Sequence, residues 1–235
     1  MMTGTVPKDL EEIIAALGDA RKVMIVGCAS CSTTFHTGGE PEVQEMARRL
    51  TERGFEITAA GLPQVKTCGV DNVADFFFMN GEALAESDAV LVLACGEGVQ
   101  IVRQCTEEEG LTIPVVSGTN TVGHMGTQVS PADNPYGDFL EQCAECGECL
   151  LNYTGGICPV TRCAKGLLNG PCGGAKDGKC EVDAGRDCAW VLIYNRLKAL
   201  GALDNMKAFR EAKHYSKANH PRRVIYARDK GHSIA

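Results

Sequence analysis

The placement of the cysteines limits the fold of this chain more than any other feature. Eight of the thirteen lie between residues 143 and 188, in a stretch that opens CAECGECLLNYTGGICPVTRC. A segment rich in glycine and poor in hydrophobic periodicity buries little apolar surface, so its order must come from elsewhere. Metal ligation is one source, because ligand-binding energy becomes folding energy. Disulfides are another, but an odd number of cysteines fits a pure disulfide framework poorly. The first residues, MMTGTVPKDLEEII, carry neither a basic n-region nor an apolar h-region. The expected setting is therefore a reducing cytoplasm, where dense thiols bind metal more often than they pair.

The other bulk properties are ordinary. A chain of 235 residues, 44% hydrophobic and 23% charged, has room for one large domain or two modest ones. Its net charge of −7 argues against a general nucleic-acid binder. Apolar runs such as 89–94 fall far short of the roughly 20 residues that span a bilayer, so no membrane insertion is expected. The charge is uneven. Residues 206–235 hold eight Lys/Arg and two acids, a net of +6, which leaves −13 for the remainder. Such a stretch is either a solvated tail or an arm that docks on an acidic partner.

Periodicity divides the chain into a domain over 1–125, a linker over 126–138, a cysteine-rich module over 139–200 and a basic tail over 201–235. In the first domain strands are predicted at 22–27, 55–60, 89–94 and 113–117, with helices at 9–17, 41–54, 72–85 and 98–109. This alternation predicts an α/β domain with a small parallel sheet, flavodoxin- or Rossmann-like. The linker, GTQVSPADNPYGD, is rich in turn formers. The module is expected to be ordered by metal and followed by C-terminal helices. Residues 188–200 return to helical spacing, with Trp190, Ile193, Tyr194 and Leu197 expected on one face.

Four thiols follow the predicted strands of the first domain. Cys28 and Cys31 come after the first, Cys68 after the second and Cys95 after the third. In a parallel sheet these loops share the carboxyl edge, where doubly wound folds bind ligands. If the strand order is 2-1-3-4, the four thiols converge. A four-cysteine set with a C-x2-C pair suits a tetrahedral Zn2+ or a [4Fe–4S] cluster. Gly27, Gly69 and Gly96 are expected to aim backbone N–H groups at its sulfurs. Against this stands the plainer reading of Cys68 or Cys95 as small buried hydrophobes, the role assigned to Cys105. A nucleophilic Cys31 or Cys95 would need a base; His36 alone makes a poor one, and no catalytic residue is assigned.

The second set is Cys143, Cys146, Cys149, Cys158, Cys163, Cys172, Cys180 and Cys188. C-x2-C-x2-C followed by Cys158-Pro159 is like a ferredoxin run with a longer final spacing, and suits three corners of a cubane. Eight thiols complete two four-cysteine sites: two [4Fe–4S] clusters, or one cluster and one Zn2+. Spacing does not divide the eight between them.

The run from Cys143 to Leu197 resembles the methylenetetrahydrofolate reductase C-terminal domain family, through TGGICP, KGLLNGPCGG, C-E-V and C-x-W-x-x-I-Y-x-R-L. In particular it is similar to the small iron–sulfur subunit of the MetV type, from acetogens and related anaerobes. The resemblance implies a place in one-carbon metabolism, with [4Fe–4S] clusters at two or three sites and zinc as an occupant of one four-cysteine site. It also implies a catalytic partner carrying FMN or FAD, which reduces 5,10-methylene- to 5-methyltetrahydrofolate, and heterodisulfide-reductase-like electron-transfer subunits as further associates. A (β/α)8 barrel does not fit in this chain, so the folate chemistry is expected in the partner. The expected function is an iron–sulfur electron-transfer subunit, with Lys165 and Arg162 adding positive charge near its clusters. The alternative is a zinc-stabilised scaffold without redox function.

Overall fold

The computed structural model describes residues 2–125, 127–128, 139–140, 142–218, 224–227 and 231–234. It divides into two compact units, Met1–Leu140 and Glu141–Ala235.

The first unit contains β1 (Met2–Pro7), α1 (Leu10–Leu17), β2 (Lys22–Val26), α2 (Cys31–Thr34), α3 (Glu40–Glu52) and β3 (Glu56–Gly61). It continues with α4 (Val70–Met79), α5 (Gly81–Ala85), β4 (Ala89–Val92), α6 (Gly96–Glu108), β5 (Val115–Ser117) and β6 (Thr119–Met125). A short antiparallel pair follows, β7 (Thr127–Gln128) against β8 (Phe139–Leu140). The predicted linker therefore pairs at one end, while 126 and 129–138 lie outside the described residues.

The parallel sheet has the order β3-β2-β4-β5, which is the 2-1-3-4 arrangement on which convergence of the thiols depends. Its central strands β2 and β4 are apolar from Val23 to Val26 and from Ala89 to Val92 because helices cover both faces. Val23 and Ile25 join Ile13, Leu17, Val43 and Leu50 on one side. Met24 and Val26 join Val73, Phe77, Leu84 and Val102 on the other. Asp88 ties the amino ends of β2 and β4, since its carboxylate accepts the N–H of Arg21 and of Lys22 at 2.8 Å each.

The structure departs from expectation in two places here. The helix expected over 72–85 is two helices, divided at Asn80, whose Nδ2 donates to the Phe76 carbonyl. That bond ends α4 as a local side-chain competitor for the helical carbonyl. The antiparallel ribbon of β1 and β6 was not expected at all. MTGTVP and TNTVGHM are short on large apolar residues, and their pairing spans almost the whole unit.

The second unit contains α7 (Pro159–Arg162), α8 (Ala189–Ala199), 3-10 turns at Leu203–Met206 and Tyr215–Ala218, and the pair β9 (Val224–Ala227) with β10 (Gly231–Ile234). Its core is small. Trp190, Ile193 and Leu197 of α8 are buried with Cys188, and the Trp190 indole N–H donates to the Leu167 carbonyl at 3.0 Å. Tyr194, expected on that face, is 43% exposed and points away from it. Residues 201–218, read as a tail, lie within this unit. Among the described residues no helix is long and apolar enough to cross a membrane.

Candidate functional site

The carboxyl ends of the parallel strands are in register, Gly61 opposite Val26, Val26 opposite Val92, and Val92 opposite Ser117. The loops that leave them share one edge. Cys28 lies two residues beyond β2 and is 5% exposed; Cys95 caps the start of α6 and is 7% exposed. Burial, then Glu97, push the Cys68 thiol above its ordinary pKa against a lowering by Lys66, with smaller upward contributions from Cys95 and Cys28. Cys31 heads α2, and its sulfur accepts the Thr3 N–H at 3.4 Å, so the β1 strand reaches this loop. Cys105 is buried in the core with its thiol facing the Val70 carbonyl, consistent with a packing role.

Two details differ from expectation. The Gly27 N–H is engaged by the Gly61 carbonyl and the Gly96 N–H by Thr121 Oγ1, so neither is available to a sulfur. Gly27 is needed for space instead: a Cβ there would stand 2.4 Å from the Gly38 carbonyl oxygen and 2.5 Å from Val43. The polar group this edge does offer is Ser32, fully buried with its hydroxyl unpartnered. An orphaned buried donor beside Cys31 suits a bound group with acceptor sulfurs. His36 Nδ1 faces the Glu42 carboxylate at 3.8 Å.

In the second unit the fold separates the eight thiols into two hollows. Cys143, Cys146, Cys149 and Cys158 line a cavity of about 200 Å3 with Leu150 and Val160. Cys163, Cys172, Cys180 and Cys188 line one of about 20 Å3 beside Trp190. The division comes from α7, a single turn with Cys158 at its start and Cys163 at its end. A knuckle positions the other set: the Cys180 N–H donates to the Arg186 carbonyl, and the Cys188 N–H to the Gly178 carbonyl. The smaller hollow holds about one water-sized sphere, the larger one a group many atoms in size.

Backbone N–H groups reach sulfurs in both sets, from Glu145 to Cys143 at 3.4 Å and from Gly174 to Cys172 at 3.5 Å. The charges differ. At the small hollow Lys165 pairs with Glu181, and the Cys172 thiol donates to the same carboxylate at 3.2 Å. Lys165, then Cys172, hold Glu181 below the usual carboxylate range. At the large hollow Lys213 reaches Cys146, Nζ to Sγ 2.9 Å, and also donates to the Glu148 carbonyl. Burial alone would raise the Cys146 thiol; Lys213 and hydrogen bonding with the Glu148 backbone outweigh it and bring the pKa below its ordinary value. Of the two cations expected near the thiols, Lys165 is spent on Glu181, and Arg162 lines the small hollow. Lys213 was missed, and the signal was its membership of the basic stretch. Among the described residues no three His, Cys, Asp or Glu side chains stand close enough to clasp a single metal ion.

All thirteen cysteines are free thiols, and the second unit carries eight of them around one short helix, which defines it as a small cysteine-rich domain. Residues 122–216 match the family model described as methylene-tetrahydrofolate reductase C terminal, and the chain is similar to that family over this stretch. The matched residues include all eight thiols of the two hollows. No curated protein and no solved structure matches the chain significantly.

Proposed function

We propose that this chain is an iron–sulfur electron-transfer subunit of a methylenetetrahydrofolate reductase complex, working beside a flavin-bearing catalytic subunit. The observation that carries the reading is the family match over residues 122–216, which contain eight cysteines sorted into two sets of four. Cys143, Cys146, Cys149 and Cys158 would hold one [4Fe–4S] cluster, and Cys28, Cys31, Cys68 and Cys95 a second at the sheet edge. Bound clusters supply one-electron transfer, and reduction of a methylene to a methyl group takes two electrons and two protons, collected at the partner's flavin. This chain's residues contribute the thiolates, the N–H groups that reach their sulfurs, and apolar side chains such as Leu150 and Val160 beside them.

The set Cys163, Cys172, Cys180 and Cys188 supports a second reading at that position. Its four thiols line one small hollow, and Zn2+ with four thiolates is a common structural centre, around which these side chains would have to draw together. Electrons would arrive from a subunit of the heterodisulfide-reductase class.

Anaerobic purification of the full chain, with iron, sulfide and zinc counted, tests the proposal. A brown protein bleached by dithionite, which co-purifies with a flavoprotein reductase, is the expected result. A colourless protein with stoichiometric zinc would replace it with the scaffold reading. Cys28→Ser and Cys146→Ser should each lower iron at one site and leave the other.

A further inference from the structure

We infer that residues 205–217 form a strap tied against the loop that carries Cys146 in the Cys143–Cys146–Cys149–Cys158 site, and that Lys213 is the positioning residue whose charge sets that site's redox potential. The inference rests on the reading of these four thiols as cluster ligands.

The strap is tied at successive points. Asn169 brackets Arg210, accepting its N–H through Oδ1 and donating through Nδ2 to its carbonyl, both at 2.9 Å. The Arg210 guanidinium lies 4.4 Å from the centre of the Tyr153 ring, a cation–π contact. Glu148, between two of the thiols, accepts the His214 N–H at 2.9 Å and the Lys217 ammonium at 2.6 Å. Gly147 lets the strap approach: a Cβ there would stand 2.8 Å from the Lys217 Cβ, and its φ of +75° is itself one that favours glycine.

Lys213 lies at the centre of these ties, and it is 8% exposed. A solvated tail lysine behaves like Lys207, whose side chain is 79% exposed. Burying an ammonium is costly unless an anion or several acceptors meet it, and here they are Cys146 Sγ and the Glu148 carbonyl. Glu148 is the other charge facing it, and that carboxylate is already engaged by Lys217 and the His214 N–H. A thiolate-ligated cluster is anionic and gains negative charge on reduction. A cation against one of its sulfurs, shielded from water, therefore favours the reduced form and raises the potential.

Lys213→Met and Lys213→Arg in the full chain test this, with iron counts, thermal unfolding and an EPR-monitored redox titration. The signal lost in Cys146→Ser identifies the cluster in question. Lys213→Met should retain iron and shift this midpoint downward, so that the reduced-to-oxidised ratio at the wild-type midpoint falls about tenfold. A tenfold change corresponds to about 59 mV for one electron. Lys213→Arg should restore most of it. Lys213→Gln, which keeps an N–H donor without the charge, serves if the Met variant fails to fold, with the same downward shift expected. An unchanged midpoint in the neutral variants overturns the inference, as does an Arg variant that behaves like Met. If wild-type protein holds no iron that depends on Cys146, the cluster reading itself fails, which is seen before any Lys213 variant is made.

Discussion

Cys28 and Cys188 are both buried, 5% and 9% exposed, but for different reasons. Cys28 is covered because it follows β2 into a core of Met24, Val26, Val90 and Val92, built by strands and helices that pack without it. Cys188 is covered by Trp190, Ile193 and Leu197, nearly the whole buried apolar content of its own unit. The sheet unit is an independent scaffold on whose edge thiols sit. The second unit is mostly turns, and a core of that size does not offset the entropy of ordering such a length of chain. On the proposed reading, metal ligation would be an accessory in one unit and the main structural element in the other.

The largest effect that could break this comparison is metal removal. Stripping metal from the anaerobic protein with a chelator should abolish amide-exchange protection across 142–218, while 22–117 stay protected. Equal protection in both regions would show that the second unit stands on packing alone.

Core truncations come next. Leu91→Ala should cost the sheet unit about 2–5 kcal/mol with iron content unchanged. Trp190→Ala should cost about 3–5 kcal/mol, and it also leaves the Leu167 carbonyl without its donor, so iron retained by the second unit should fall with stability. Calorimetry with iron counts separates the two patterns.

Asp88 gives a smaller, pH-dependent difference. The N–H groups of Lys22 and Arg21 hold its carboxyl below the usual range. A depressed folded-state pKa gives stability that is complete above the ordinary value, near 4, and is lost as pH falls through the depressed value. Asp88→Asn should thus lower the sheet unit's denaturation midpoint at pH 7 and change it little at pH 2–3. The smallest effect belongs to Tyr194→Ser, which should stay within about 0.5 kcal/mol of wild type in thermal unfolding, because the ring faces solvent.

The parallel sheet was legible because KVMIVG and AVLVLA are strand-length apolar runs between helical stretches. The carboxyl edge was legible because Cys28 and Cys95 follow those runs directly. The β1–β6 ribbon was not, since Thr, Gly and Pro give no two-residue hydrophobic alternation and the partners lie far apart. The division of eight thiols was hidden for another reason. Spacing cannot tell which way a four-residue turn such as α7 will point Cys158 and Cys163. Lys213 was hidden because a basic residue in a basic stretch looks the same whether solvated or buried.

The ribbon also bears on the order in which the protein matures. Met2 pairs with Met125, and the Thr3 N–H beside it meets Cys31. During synthesis β1 leaves the ribosome first and must wait for β6, so the edge that holds Cys28, Cys31, Cys68 and Cys95 is complete only after residue 125 has emerged. The eight later thiols emerge only after that. On the proposed reading, the first set could therefore take its metal before the competing thiols have emerged.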